Sequence, residues 1–163
     1  MQKAKLIVFD LDYTLWPLWV DTHVHRPLQK KSDNKVYDAK EKEVKYYEDV
    51  PKILQRLKDE GYILAVASRT DWPDGGQQLI DMFGWNDFFT YKQLYPGSKC
   101  KHFEYFHQKS GIPYKDMLFF DDEYRNIVQI GKLGVTTMTV DSAEGLSERT
   151  LNSALKKFAN KKD

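Results

Sequence analysis

The chain has 163 residues, 41% of them hydrophobic, and its 25 basic and 24 acidic residues leave a net charge of +1. That length suits one globular domain over residues 1–163, and a charge so near zero provides no field to draw the chain to nucleic acid or to a membrane. A single cysteine excludes an internal disulfide framework, and no long apolar run or charged leader marks export, so the expectation is a cytoplasmic monomer.

Residues 6–9, after Lys5, form an apolar run that stops abruptly at Asp10-Leu11-Asp12-Tyr13-Thr14. This is the pattern of a buried parallel strand whose carboxyl end opens onto a polar site. Residues 16–47 carry two tryptophans and two prolines and little helical periodicity. They predict a flap insertion with a short hairpin turning near Ser32-Asp33-Asn34-Lys35, where Asp and Asn tolerate the required backbone. Lys30, Lys31, Lys35, Lys40, Lys42 and Lys45 could guide an anionic substrate from this flap, although Glu41 and Glu43 among them make a solvated surface the plainer reading.

A helix is predicted over 50–60, from the spacing of Val50, Ile53, Leu54 and Leu57, with Gly61 as its stop. A strand over 62–67 gives way to Ser68-Arg69-Thr70, followed by a helix over 74–83, with Gly75-Gly76 as an entry loop, and a strand over 88–91. The turn Tyr95-Pro96-Gly97-Ser98 precedes a helix over 99–110 that ends at Gly111. A strand over 117–120 runs into Asp121-Asp122, and then come a helix over 123–133, a strand over 135–140 and a closing helix over 147–158 capped by Ser147. The alternation implies an α/β doubly wound three-layer sandwich with a central parallel sheet.

The polar residues after the strands form one set, because parallel strands place their carboxyl ends on the same edge. Asp10 and Asp12 leave an extended chain on the same side and can face one bound group together, as a nucleophile and a proton carrier do. An Asp just past a strand also serves as a plain turn or helix cap. Ser68, Lys99, Asp121 and Asp122 change the balance. Asp10, Asp121 and Asp122 carry −3 when ionised, which Lys99 and one divalent cation offset, and an all-oxygen ligand set favours Mg²⁺. Such a site suits phosphoryl transfer.

Asp10-Leu11-Asp12-Tyr13-Thr14 resembles the first motif of the haloacid dehalogenase superfamily, and Ser68, Lys99 and Asp121-Asp122 match its second, third and fourth motifs in order. The flanking Trp19-Val20-Asp21-Thr22-His23, Ala67-Ser68-Arg69-Thr70 and Asp121-Asp122-Glu123-Tyr124-Arg125-Asn126 make the chain similar to the eukaryotic magnesium-dependent phosphatase-1 group. The resemblance implies that Asp10 attacks phosphorus and binds Mg²⁺, while Asp12 acts as acid then base and lends its main-chain carbonyl to the metal. It further implies that Ser68 and Lys99 hold the phosphoryl group and that Asp122 ligates the metal directly, with Asp121 direct or through water. Thr14 is expected to steady the nucleophile or bond the loop backbone. The implied substrates are phosphotyrosine in proteins, as for a protein tyrosine phosphatase, or sugar phosphates attached to amines. Members with a cap domain insert it after the first or second motif, and the roughly thirty residues available at each place leave no room for a large one.

Arg69 beside Ser68 could clamp a substrate anion or simply pair with a carboxylate, and Arg125 and Asn126 could reach the site or serve as helix surface and cap. His23-Val24-His25 has the spacing of a two-histidine metal site, yet among four histidines no third ligand stands at recognisable spacing. Cys100 lacks the arginine six residues on that a cysteine phosphatase requires, position 106 being Phe, so it reads as buried packing. Two rivals remain: a receiver-like module that takes up phosphate without turnover, and an inactive scaffold. Asp12 argues against the first, since a switch gains nothing from a proton donor for a leaving group.

Overall fold

The computed structural model describes residues 2–162. After β1 (Leu6–Phe9) come a single helical turn, α1 (Val20–His23), and three short strands, β2 (Gln29–Lys30), β3 (Val36–Tyr37) and β4 (Glu43–Val44). The chain then alternates through α2 (Val50–Asp59), β5 (Ile63–Ser68), α3 (Pro73–Met82), β6 (Tyr91–Leu94) and α4 (Lys99–Ser110). It closes with β7 (Met117–Asp121), α5 (Tyr124–Gly131), β8 (Thr136–Thr139) and α6 (Glu148–Asn160).

Strands β6, β5, β1, β7 and β8 lie side by side in that order, and every pair is parallel. Side-chain alternation splits the core in two. Ile7 and Phe9 of β1 join Leu64, Val66, Leu118 and Phe120 on the face covered by α2, α3 and α6. Leu6 and Val8 join Ala65, Ala67 and Phe119 on the face covered by α4 and α5. The result is the three-layer α/β architecture expected from the alternation. Asp10 continues the parity of Leu6 and Val8, toward the side that carries α4, from which Lys99 reaches it.

Local signals placed several helix ends. In α2, Val50, Ile53, Leu54 and Leu57 are all buried. Ser98 caps α4 by accepting from the Cys100 amide, and Gly111, at φ 72, ends it in the left-handed region. Ser147 Oγ accepts from the Thr150 amide at the start of α6.

Three expectations need correcting. The strand predicted over 88–91 lies at Tyr91–Leu94, after a 3-10 turn at Asn86–Phe88. As an edge strand paired only with β5, it is half-buried and reads as mixed polar, so the apolar Phe88-Phe89 pair misplaces it. Gly75 and Gly76 lie inside α3, not in an entry loop. They are there for packing: a Cβ on Gly75 would sit 2.2 Å from the Trp72 ring, and one on Gly76 would sit 2.8 Å from Leu94. Cys100 packs against the core as expected but is half-buried, not fully buried.

The hairpin predicted near 32–35 is present, with Lys30 opposite Val36 and Asn34 at φ 69. A third strand, β4, extends it, pairing Val44 with Val36. Asp38, nearly inaccessible, makes that second turn by accepting from the amides of His25, Lys40 and Lys42. Burial would push the Asp38 carboxyl up, but those three amides hold it below the usual range.

Candidate active site

The strand order brings the site together. Because β1 is central, Asp10 emerges between Ser68, the last residue of β5, and Asp121, the last residue of β7. The first three predicted motifs line a cleft of about 360 Å³ through Asp10, Asp12, Ser68 and Lys99, joined by Arg69, while Asp121 and Asp122 of the fourth lie against Asp10 without lining it themselves.

Asp10 is buried, with a donor on each oxygen: Lys99 Nζ reaches Oδ1 at 2.8 Å and Thr14 Oγ1 reaches Oδ2 at 3.1 Å. Lys99 also donates to Asp121 Oδ2 at 2.6 Å and is 1% exposed, so it bridges the two carboxylates inside the fold. Burial alone would push the Lys99 ammonium down, but Asp10 and Asp121 override it and hold the ammonium above the lysine range. For Asp10, burial and then the charge on Asp121 outweigh Lys99 and raise its carboxyl well above the usual range.

Asp121 is spoken for on both oxygens. Its Oδ2 also accepts from Asn126 Nδ2 at 3.0 Å, and its Oδ1 accepts from the Glu123 amide at 2.9 Å. Asp122 is half-buried, and burial pushes it up to about 6. Oxygens of Asp10, Asp121 and Asp122 lie within 4.8 Å of one another. This all-oxygen cluster, short of positive charge with Lys99 as its one buried cation, fits a hard divalent ion in donor type and in charge.

Asp12 sits on a reversed loop. Tyr13 adopts φ 57 and its amide donates to the Trp16 carbonyl at 2.7 Å, which brings Trp16 back alongside Asp12. Trp16 Nε1 at 2.7 Å and the Val20 amide at 3.1 Å both donate to Asp12 Oδ1. The other oxygen, Oδ2, is left for the cleft. Burial pushes Asp12 up to about 6 against the pull of those two donors. Ser68 Oγ accepts from the Thr70 amide at 3.2 Å, so its hydroxyl hydrogen remains free to donate.

Three supporting residues carried no signal assigning them these parts. Trp16, taken as the start of the flap insertion, is instead fully buried, and its indole N–H orients Asp12. Asn126, left between reaching the site and capping a helix, is 1% exposed and holds Asp121. His102, one turn beyond Lys99, stacks on Tyr95 at 4.2 Å, and its Nε2 bonds the Tyr95 carbonyl at 3.1 Å. Burial lowers it to about 4, so it stays neutral beneath the Tyr95-to-Ser98 turn.

His23 is not brought to the acidic cluster: its Nδ1 accepts from the Trp19 amide at 2.9 Å and its ring stacks on Trp19. The flap sheet contributes no residue to the cleft, and none of its lysines lines it. Trp19 and Asp21, ahead of that sheet, do line the cleft.

A family profile described as Acid Phosphatase matches residues 2–161. The chain belongs to that family. It is 49% identical over 155 residues to the human protein named Magnesium-dependent phosphatase 1, spanning 95% of this chain and 87% of that one. Among solved structures, a haloacid dehalogenase superfamily hydrolase from Ehrlichia chaffeensis superposes with TM-score 0.70 at 12% identity, over 98% of this chain and 100% of that one. Another member, from Bacteroides thetaiotaomicron and crystallised with magnesium and inorganic phosphate, gives TM-score 0.65 at 16% identity, over 90% of this chain and 98% of that one. At those identities the likeness is one of fold, and it agrees with the resemblance carried by the four motifs.

Proposed function

We propose that this family member is a magnesium-dependent phosphomonoester hydrolase that works through a phosphoaspartate on Asp10. The observation that carries this reading is the pairing of a buried, doubly held Asp10 with an Asp12 that has one oxygen fixed and the other free. In the first half-reaction an Asp10 carboxylate oxygen bonds to phosphorus as the ester P–O bond breaks, and Asp12 gives its proton to the departing oxygen. In the second, water attacks the phosphorus, Asp12 takes the water proton, and phosphate leaves with Asp10 restored. Ser68 donates to a phosphoryl oxygen, and Lys99 opposes the charge on the nucleophile and the transferring group.

Bound Mg²⁺ supplies charge neutralisation at the phosphoryl oxygens. Asp10, Asp122 and the main-chain carbonyl of Asp12 are the residues assigned to hold it. The saturation of Asp121 by Lys99, Asn126 and the Glu123 amide supports Asp122, more than Asp121, as the carboxylate that would hold the ion beside Asp10. The cleft mouth has no cap domain over it among the described residues, and Trp19 stands 48% exposed on its rim. Both support substrates in which the phosphate sits on a larger carrier: phosphotyrosine in proteins, or sugar phosphates attached to amines.

The test is turnover of p-nitrophenyl phosphate after chelation and after Mg²⁺ is returned. Multiple turnovers that vanish with chelator and return with Mg²⁺ are expected. Uptake of a single phosphate per chain without release would instead establish the receiver-like reading. Asp12→Asn tests the acid: pre-steady-state bursts with alkyl phosphates should fall about 10² to 10⁴-fold, and bursts with aryl phosphates far less, because an aryl oxide departs without a proton. Equal losses for both would remove Asp12 from that role.

A further inference from the structure

Of the five arginines, three are engaged: Arg26 lies over the Trp72 ring, Arg56 pairs with Glu60 and Glu148, and Arg149 pairs with Glu144. Among the described residues, the guanidiniums of Arg69 and Arg125 have no hydrogen bond or ion pair, and both line the cleft that holds Asp10. They come from opposite sides of the central strand, Arg69 just after β5 and Arg125 from the first turn of α5 after β7.

An unpaired exposed arginine such as Arg125 is ordinary by itself. Arg69 is different: it is half-buried, and its Nε is closed off from solvent with no acceptor. With Nε shut in and no carboxylate on the guanidinium, the planar fork of its two Nη groups is what remains to meet an oxyanion from the cleft, bidentately. Ser68 and Lys99 already serve the phosphoryl group, so Arg69 has no unmet duty there. Asp71 and Glu123 also line the cleft, exposed and paired with neither arginine, while Asp21 is bound to the Asp71 amide and the Thr22 hydroxyl. Two free arginines against two free carboxylates leave room for a singly charged group better than for a second phosphate.

We propose that Arg69 and Arg125 form a second anion subsite at the cleft mouth, selecting phosphomonoesters whose leaving group carries a carboxylate. This rests on the phosphatase reading above and narrows its substrate class. The carboxylate's two oxygens would accept from the two Nη groups of Arg69, with Arg125 closing from the far side of Asp10.

The test compares kcat/KM, in Mg²⁺, for 4-carboxyphenyl phosphate and its carboxamide, 4-carbamoylphenyl phosphate, together with an aliphatic pair, 3-phosphooxypropionate and its amide. The carbamoyl group makes the better leaving phenol, so intrinsic reactivity runs against the expected preference. Wild type should favour the carboxylate by about tenfold in at least one pair, the equivalent of one charge-assisted hydrogen bond. Arg69→Gln and Arg125→Gln should each lower that ratio, and the double variant should bring it to about one. Arg69→Lys should recover only part of it, because the fork is lost. A wild-type ratio of about one in both pairs overturns the subsite, and so does Arg69→Gln slowing acid and amide equally, which would place Arg69 on the phosphoryl group. If wild type fails even on p-nitrophenyl phosphate, the phosphatase reading falls separately. The subsite is then read by calorimetric binding of the same pairs, where equal affinities overturn it. Arg125 is exposed, so its variant keeps the comparison available should Arg69→Gln fail to fold.

Discussion

Asp10→Asn should lower turnover by about 10⁴-fold or more while leaving the protein folded. An amide has the shape of the carboxylate and can still accept from Thr14, but it cannot form the acyl phosphate, so the reaction loses its covalent step and not merely a positioning contact. The variant should also be at least as stable as wild type in the absence of metal. Burial and Asp121 already raise the Asp10 carboxyl well above its usual range, so at neutral pH its ionised form is the one the fold disfavours. Removing that charge removes a cost that is present at neutral pH and fades as pH falls and the carboxyl protonates. Steady-state rates with aryl and alkyl phosphates, alongside thermal melts in chelator, check both halves. Retention of a tenth of wild-type activity would exclude the phosphoaspartate mechanism.

Lys99→Met should have the opposite effect on stability. Lys99 lies 2.8 Å from Asp10 and 2.6 Å from Asp121, and Asp121 has no exposed surface. Removing one member of a buried ionic group leaves the others without compensation, at a cost of about 3–5 kcal/mol. The lysine is held above its ordinary 10.5, so its contribution is fully present below that value and is lost only as pH rises past the folded one. Denaturant titration at neutral pH should therefore show the full loss. Adding Asp10→Asn should recover part of it, since one of the two stranded carboxylates is then gone, and a double-mutant cycle reads the coupling directly. Strict additivity of the two changes would mean that Lys99 and Asp10 do not share one electrostatic unit.

The apolar runs of 6–9 and 117–120, the helical spacing of Val50, Ile53, Leu54 and Leu57, and the caps at Ser98 and Ser147 are local properties, so they could be read from the order of residues alone. So could the succession of Asp10, Asp12, Ser68, Lys99 and Asp121-Asp122 at strand or helix ends, because parallel strands send all such ends to one edge. What the order of residues does not contain is which strands are neighbours. Only the arrangement β6-β5-β1-β7-β8 puts Ser68 and Asp121 on either side of Asp10, and only α4 lying across from them lets one lysine bridge two carboxylates. The same holds for the Trp16 indole on Asp12, Asn126 on Asp121 and the empty hands of Arg69 and Arg125. Periodicity reports how a segment meets water and core, whereas a hydrogen bond between distant segments depends on packing that no single segment encodes.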